Sequence, residues 1–319
     1  MILVYTENWE NKFKKITFEL VSYAYALAQQ TSDKVTVLSV GAVPDSELQT
    51  LSTYGASEII AVNNPALAVF DGQTYAKIIN EISVKINAKY ILLSAGNKGK
   101  AIGPVLSVLA NAAFISGVEG LPVSYEPVTL HKKTFTGKSV TTVKINTGKV
   151  VLGLYPNSWQ ITENQEKATI IFENINVEPS PFTLLETNTS SGGKVLLSEA
   201  EIVVSGGRGM KAPENWQPIE ELATLLNAAT ACSRPVADEG WRPHHEHVGQ
   251  TGKIIAPKLY FAFGISGAIQ HYGGISSSKC IVAVNTDKDA PIFENADYGI
   301  IGDAKTVIPE IIKGIKEIL

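Results

Sequence analysis

Glycines and polar side chains gather at four places in the second half of the chain, and each place directly follows a short apolar run. The four runs have the length and the β-prone composition of buried strands. Ligands of open α/β sheets bind outside the carboxyl ends of the strands, so the residues after these runs are expected to share one site. The runs and the segments that follow them are 202–205 with 206–210, 259–263 with 264–271, 280–284 with 285–291, and 298–301 with 302–303.

The residue types in these segments suit a dinucleotide. Glycines let the backbone approach a pyrophosphate closely, and Arg208 could face its negative charge. The Asp303 carboxylate could accept hydrogen bonds from ribose hydroxyls or from an adenine amine. Taken singly, each feature has a plainer interpretation, since glycines after strands often form only tight turns and an arginine is usually a surface cation. The four segments together favour dinucleotide binding.

Two common nucleotide motifs are absent from the sequence. The Gly252-Lys253 pair is followed by Ile254 rather than by Ser or Thr, so it does not form a Walker A motif. No G-x-G-x-x-G fingerprint is present either, and ordinary NAD binding of the Rossmann type is therefore not indicated.

The elements that must position this site follow a β/α alternation in both halves of the chain. In the first half, continuous apolar runs predict strands at 2–6, 35–40, 58–62 and 90–94, and amphipathic spacing predicts helices at 17–30, 72–87 and 102–112. Residues 128–178 are instead expected to form an antiparallel or edge extension. In the second half, helices are predicted at 219–229, 267–272 and 307–319, the last with a buried stripe that ends at Ile318. The fold class is therefore α/β, with two Rossmann-like doubly wound parallel sheets.

Length and composition agree with two domains. A chain of 319 residues is longer than one hydrophobic core usually serves. Residues 178–193 are rich in Pro, Ser, Thr and Gly and are predicted to be the interdomain linker, with a long surface loop of a single domain as the alternative. We expect an N-terminal domain of residues 1–188 and a C-terminal domain of residues 189–319.

Several classes of function are disfavoured by composition. The formal net charge of −4 and the lack of a basic stripe argue against nucleic-acid binding. Two cysteines are too few for a disulfide framework and favour a reducing compartment. The first residues, MILVYTENW, lack the basic region of a secretory signal, and no apolar stretch is long enough to span a bilayer. We therefore expect a cytoplasmic protein.

Three of the five histidines, His244, His245 and His247, lie in the segment RPHHEHVGQTG. A zinc or copper site is the specific interpretation of such a cluster. Adjacent histidines converge poorly on one ion, however, and the two cysteines are distant in sequence. We expect a solvated loop and no metal, although these imidazoles could place pH-dependent charge near the site.

Five motifs of the second half strongly resemble the FAD domain of electron-transfer flavoprotein alpha subunits. They are SGGRGM, ACSRPVADEGW, VGQTGKIIAPKLYFAFGISGAIQH, IVAVNTDKDAPIF and ADYGIIGD, in the order and spacing of that family. The resemblance is strong from about residue 194 onward and looser in the first half, where SAGNKGKAIGPVLS matches only in pattern. The resemblance implies a C-terminal domain that binds FAD and an N-terminal domain, nucleotide-hydrolase-like in fold, that contacts a beta subunit.

The resemblance also assigns site residues. It implies that Arg208 lies by the FAD phosphates, that the pair Ser233 and Arg234 places a guanidinium near the isoalloxazine ring, and that Gln250 and Thr251 direct a hydroxyl at flavin N5. The segment GISGAIQH would enclose the pyrophosphate and the ribityl chain, with His271 at the O2 edge of the ring. Asn285 and Asp303 would hold the adenosine end. From this segment the cofactor-binding residues are Ser266, Gly267, Ala268, Ile269, Gln270 and His271.

The chemistry of these side chains agrees with an electron carrier. A reduced flavin accumulates negative charge near N1 and O2, and a fixed cation and an imidazole at that edge would tune its potential. The residues expected to do so are Arg234, Thr251 and His271; the plainer interpretation of Arg234 is an ion pair with Asp238 or Glu239. No residue outside these motifs is an obvious acid or base for a substrate of its own, so no enzymatic turnover is expected.

The expected function is transfer of electrons from acyl-CoA or related dehydrogenases to a membrane quinone oxidoreductase, as in fatty acid β-oxidation. The partner would be a beta subunit that binds AMP. Two alternatives stay open: an electron-bifurcating complex that uses NADH and carries a second FAD in its beta subunit, and a flavin-dependent oxidoreductase.

Overall fold

The computed structural model describes residues 1–135, 137, 139–177, 182–186 and 195–318. The chain divides into two compact units, one of Met1–Lys132 with Val140–Asn188 and one of Lys133–Ser139 with Thr189–Leu319. The predicted linker at 178–193 lies outside the described residues except for 182–186, which are exposed. Within the described ranges, no helix has both the length and the apolar content needed to cross a bilayer.

The first unit is built on a parallel sheet of seven strands. Its elements are β1 (Ile2–Tyr5), β2 (Asn8–Trp9), β3 (Lys12–Phe13), α1 (Lys15–Thr31), β4 (Val35–Val40), α2 (Asp45–Thr50), β5 (Glu58–Val62), α3 (Gly72–Lys85), β6 (Tyr90–Ser94), α4 (Asn97–Leu109), β7 (Ala113–Val118), β8 (Ser124–Tyr125), β9 (Val128–Thr134), β10 (Ser139–Lys144), β11 (Val150–Leu154) and β12 (Thr169–Phe172). The order of the strands in the main sheet is β12-β5-β4-β1-β6-β11-β7. Two apolar clusters cover its two faces.

One prediction for the first unit is wrong. The β11 strand does not belong to an antiparallel or edge extension, because it lies inside the main sheet and pairs in parallel with both β6 and β7. All five of its residues are buried, as expected for a strand covered on both faces. The connection from β7 to β11 is the small sheet β10-β9-β8 instead of a helix, so the β/α alternation did not reveal the strand.

The second unit holds a parallel sheet of five strands. Elements of this unit are β13 (Ile202–Gly206), α5 (Gln217–Leu225), β14 (Ala229–Cys232), α6 (Arg234–Asp238), β15 (Leu259–Phe263), α7 (Ile269–Ile275), β16 (Ile281–Asn285), β17 (Tyr298–Ile301) and α8 (Ala304–Ile318). The order of the strands in the sheet is β14-β13-β15-β16-β17. The two sheets confirm the predicted fold class.

The strand order of this second sheet corresponds to 2-1-3-4-5, so the chain reverses direction across the sheet between β13 and β15. In doubly wound sheets a ligand crevice forms at the carboxyl ends of the strands at such a switch point. The topology therefore places the segments after β13 and β15 at the crevice.

The closing helix α8 packs on this sheet through Ala304, Ile308 and Ile312. The predicted stripe was wrong at its end, because Ile318 is 86% exposed. An apolar residue in the last turn of a helix is buried only where a neighbouring element covers it, and among the described residues nothing covers Ile318.

Candidate functional site

A cavity of about 530 Å³ opens at the switch point of the five-stranded sheet. Its size lies within the range of small-molecule and cofactor pockets. Every lining residue belongs to the second unit, and nine of the predicted residues are among them: Arg208, Ser233, Arg234, Thr251, Ser266, Ala268, Gln270, His271 and Asn285. The four predicted residues that do not line the cavity are Gln250, Gly267, Ile269 and Asp303.

Glycines let the loops after β13 and β15 touch through their backbones. A Cβ on Gly207 would lie 2.3 Å from the Gly264 carbonyl oxygen, and a Cβ on Gly209 would lie 2.6 Å from the Gly264 Cα. The Gly209 N–H donates to the Gly264 carbonyl at 3.0 Å. Gly264 itself has a φ of +62°, in the left-handed region that L side chains rarely adopt. This contact leaves the exposed side chain of Arg208, which lies between the two glycines, on the cavity wall.

The segment after β15 is held against the segment after β16. Gly267 has a φ of +82°, and its Cβ position would collide with the Ile292 backbone at 2.4 Å. Asn285 donates from its amide to the Ile265 carbonyl at 3.0 Å and accepts from the Asp287 N–H at 3.0 Å. Asn285 lines the cavity, but its two hydrogen bonds show that its side chain mainly connects the segments after β15 and β16. Gly267 is needed because the turn requires its positive φ and lack of a Cβ, and it does not line the cavity wall.

Ser233 and Arg234 follow β14 and begin the short helix α6. The Ser233 N–H donates to the Gly206 carbonyl at 3.1 Å, which fixes the start of α6 beside the end of β13. The Arg234 Nε lies 3.3 Å from Asp238 Oδ2, and the two side chains are 63% and 54% exposed. An exposed pair of this kind contributes little to stability. Arg234 lines the cavity as predicted. Its side chain also forms the ion pair with Asp238 that was the alternative interpretation of this residue.

A tight loop carries Gln250 and Thr251. The Gln250 N–H donates to the Gln270 carbonyl at 2.8 Å, and the Gly252 N–H donates to the Gly249 carbonyl at 3.1 Å. The first bond attaches the loop to the start of α7, and the second closes the loop on itself. Thr251 lines the cavity with an exposed side chain, whereas Gln250 contributes its backbone to the loop and does not line the wall.

His271 is a buried titratable group of the cavity wall. Its Nε2 lies 2.9 Å from the Tyr260 hydroxyl, and its Nδ1 is buried without a hydrogen-bond partner. Burial lowers the pKa of His271 to about 4, because a charged imidazole would be poorly solvated there. The His271 ring is therefore neutral at pH 7.

Asp303 lies away from the cavity wall and has partners of its own. It accepts from the Lys305 N–H at 3.0 Å at the start of α8, and its Oδ2 lies 3.2 Å from Lys211 Nζ. The bond from the Lys305 backbone, followed by Lys211, lowers the pKa of the Asp303 carboxyl. These contacts are those of a helix-capping residue.

The prediction that His244, His245 and His247 lie in a solvated loop is wrong for His247, which was not among the predicted site residues. It lines the cavity and is buried, while His244 and His245 are exposed. Its burial follows from a β-bridge to Cys232, and burial also lowers the pKa of His247. The available signal was its position next to the apolar Val248, which set it apart from the other two histidines. Among the described residues, no group of three His, Cys, Asp or Glu side chains could hold a metal ion.

Nine further residues line the cavity without having been assigned an individual role. Six of them lie in the segments after β13, β15 and β16 that were expected to share one site: Gly209, Gly264, Ile265, Asp287, Ala290 and Pro291. The other three, Pro235, Val248 and Gly249, lie outside those segments, and their small or apolar types carry little chemical signal in a sequence.

The features of this cavity fit a dinucleotide cofactor. Loops that approach through glycines leave room for a pyrophosphate, Arg208 offers a cation, and the unpartnered His271 Nδ1 is a buried polar atom that a ligand could satisfy. A parallel α/β sheet with such a cavity at its switch point defines a nucleotide- or flavin-binding protein.

Comparisons with known proteins identify the family. The sequence model of the electron transfer flavoprotein domain matches residues 2–179, and that of the electron transfer flavoprotein FAD-binding domain matches residues 196–276. The chain belongs to the electron transfer flavoprotein family, as an alpha subunit. Its cofactor is FAD, it is an electron carrier rather than an enzyme, and an alpha subunit implies a beta subunit as partner.

Three relatives illustrate how much of the chain is shared. The electron transfer flavoprotein subunit alpha of Bacillus subtilis is 31% identical and is covered over 98% of its length by 99% of this chain. Protein FixB of Clostridium saccharobutylicum is 31% identical, with 97% of its length and 100% of this chain aligned. The mitochondrial electron transfer flavoprotein subunit alpha of Arabidopsis thaliana is 32% identical, with 89% of its length and 99% of this chain aligned.

Proposed function

We propose that the switch-point cavity of the second unit is the FAD site, and that the chain carries electrons from acyl-CoA or related dehydrogenases to a membrane quinone oxidoreductase. The observation that carries the proposal is the convergence of nine motif residues on one cavity of about 530 Å³. A cytoplasmic location and a role in fatty acid β-oxidation belong to the same proposal.

The residues of the wall divide by chemistry. Arg208 and the backbone of the loops after β13 and β15 would hold the phosphates. Arg234, Thr251 and His271 would face the ring and tune its potential, since a fixed cation and fixed donors stabilise added negative charge. The ring supplies reversible one-electron chemistry when bound. Asn285 and Asp303 stay assigned to the adenosine end, although both have partners within the protein.

The domain boundary belongs to the proposal as well. We assign the beta-subunit contact to residues 1–188 and FAD binding to residues 189–319. Two family domains that match 2–179 and 196–276 support a division between them.

The test is purification of the chain co-expressed with its beta subunit. We expect a yellow complex. Denaturation should release one equivalent of FAD per alpha subunit. The complex should be reduced by an acyl-CoA dehydrogenase with its substrate in the absence of oxygen. A well-folded complex that holds NAD or no nucleotide would contradict the site, and reduction by NADH alone with two flavins per heterodimer would favour the bifurcating alternative.

A further inference from the structure

The loop that carries Thr251 is closed at its base by the backbone of His247. The His247 carbonyl accepts from the Lys253 N–H at 2.9 Å, and the Lys253 carbonyl accepts from the Gly249 N–H at 3.1 Å. Between these bonds the chain turns through residues 250–252, where Thr251 itself forms no hydrogen bond with any described residue. The position of Thr251 therefore depends on its neighbours in the turn and on what the turn packs against.

The imidazole of His247 lies against both ends of this turn. A Cβ on Gly252 would lie 2.8 Å from its Nδ1, and a Cβ on Gly249 would lie 3.4 Å from its Nε2. The ring therefore extends from one glycine to the other and occupies the space that side chains at these two positions would need. His247 is only 9% exposed, so the ring is part of the packing of the turn and is not a surface group beside it.

No polar contact accounts for the burial of this ring. Among the described residues, none forms a hydrogen bond or an ion pair with a ring nitrogen of His247. Burial lowers the pKa of His247, so the ring is predominantly neutral at pH 7, and Asp238 and Arg234 act on it with opposite effects. What the His247 ring contributes to the turn at this pH is its shape.

Helix α7 contacts the other end of the turn. The Gln250 N–H donates to the Gln270 carbonyl at 2.8 Å, and a Cβ on Gly274 would lie 2.4 Å from the Gly249 nitrogen. These contacts hold the residues before Thr251. On the other side of Thr251, the three atoms nearest to a Cβ on Gly252 all belong to His247. The turn is thus held by α7 before Thr251 and by His247 after it.

We propose that His247 is a positioning residue, whose ring packs against the 249–252 turn and thereby holds Thr251 at the cavity wall. Without the ring the chain would have room to move at Gly252, and the Thr251 side chain would sample other positions. The consequence for the flavin rests on the proposed function, which places Thr251 at the isoalloxazine ring. His247 also lines the cavity, so a direct contact with the cofactor is the competing explanation.

The direct test is hydrogen exchange of the loop amides in the flavin-free chain, measured residue by residue by NMR. In His247→Ala we expect the amides of Gln250 and Gly252 to exchange at least about tenfold faster, because a turn that loses its packing surface opens more often. His247→Gln should keep most of the protection, since its side chain has a similar length and also ends in a polar group. Wild-type protection of both amides in His247→Ala would overturn the inference.

His244→Ala is the matched control, because it removes an exposed imidazole from the same segment. It should leave the exchange of both loop amides unchanged. The amides of β15 report whether the second unit stays folded. If His247→Ala unfolds the unit, His247→Asn takes its place, since asparagine keeps the inner half of the ring, and it should also exchange faster than the wild type.

A double-mutant cycle in the complex with the beta subunit separates positioning from direct contact. His247→Ala should retain FAD and shift the midpoint potential in the same direction as Thr251→Ala, by up to tenfold in the one-electron equilibrium, about 59 mV. The double variant should have the potential of Thr251→Ala alone, because the effect of His247 passes through a hydroxyl that is no longer present. Additive shifts would show direct action on the cofactor and overturn the inference, and so would an unchanged potential in His247→Ala.

The two experiments also separate this inference from the proposed function. If the exchange results are as expected but the complex binds no FAD, the proposed function fails while the role of His247 in holding the turn stands. If FAD binds and Thr251→Ala shifts the potential, but His247→Ala leaves the loop amides protected, the proposed function stands and the positioning role of His247 is refuted.

Discussion

The neutral, buried His271 makes the stability of the second unit depend on pH. Its pKa falls from 6.5 in the unfolded chain to about 4 in the folded protein. The unfolded state therefore binds more protons between these values, and folding stability decreases as the pH is lowered through this window. The stabilising effect of keeping the ring neutral is complete above pH 6.5 and is lost progressively down to pH 4.

The size of the effect follows from the two pKa values. Between pH 7 and pH 5, His271 alone should lower the free energy of unfolding by about 2 kcal/mol. In His271→Gln this contribution disappears, so the variant should lose less stability than the wild type over the same interval. Carboxylates that titrate nearby act equally on both proteins and cancel in the comparison.

The assay is urea unfolding of the flavin-free chain at several pH values. Hydrogen exchange of the peptide that carries β15 reports on the second unit. His131→Gln, which changes an exposed histidine of the first unit, controls for the loss of an imidazole and should keep the wild-type slope. Equal slopes for wild type and His271→Gln would refute the reasoning, because His271 would then titrate alike in both states.

Three further variants test the site and its support. Arg242→Met should destabilise the second unit by about 3 kcal/mol in thermal or urea unfolding, because Arg242 bonds Glu246 at 2.7 Å and Glu220 at 2.8 Å and its loss leaves the buried Glu246 uncompensated; wild-type stability would refute this. Gly264→Ala should weaken FAD binding in a flavin titration, because the left-handed φ and the 2.8 Å approach to Gly209 exclude a Cβ, whereas Gly314→Ala, where a Cβ meets nothing within 4 Å, should not. Thr251→Ala should change the midpoint potential and leave FAD bound, and loss of FAD at an unchanged potential would contradict the assignment.

Much of the second unit could be predicted from sequence because its strands are short apolar runs that end at chemically distinctive residues. β15 and β17 were predicted with the bounds that the structure shows. β14 was missed because Ala229–Cys232 consists of small residues with little β-propensity, and its place in the sheet comes from pairing with β13. Strand pairing is a tertiary property that a local pattern does not carry.

Site residues were predictable from the sequence where the type of side chain alone indicates its chemistry. Arg208, Thr251 and His271 fall on one cavity as expected. The environment of His247 and the internal bonds of Asn285 depend on which loops the fold brings together. The buried hydrogen bond between His271 and Tyr260 joins residues 11 positions apart, and no local pattern in the sequence indicates it.

Titration of the flavin-free complex with FAD, followed through the ring nitrogens of His271, shows whether FAD occupies the switch-point cavity. We expect the His271 Nδ1 signal to shift, and the shift to saturate at one equivalent of FAD. The exposed His131 serves as the internal reference and should not move. Tight binding of FAD with an unaltered His271 signal would place the flavin elsewhere and contradict the proposed FAD site.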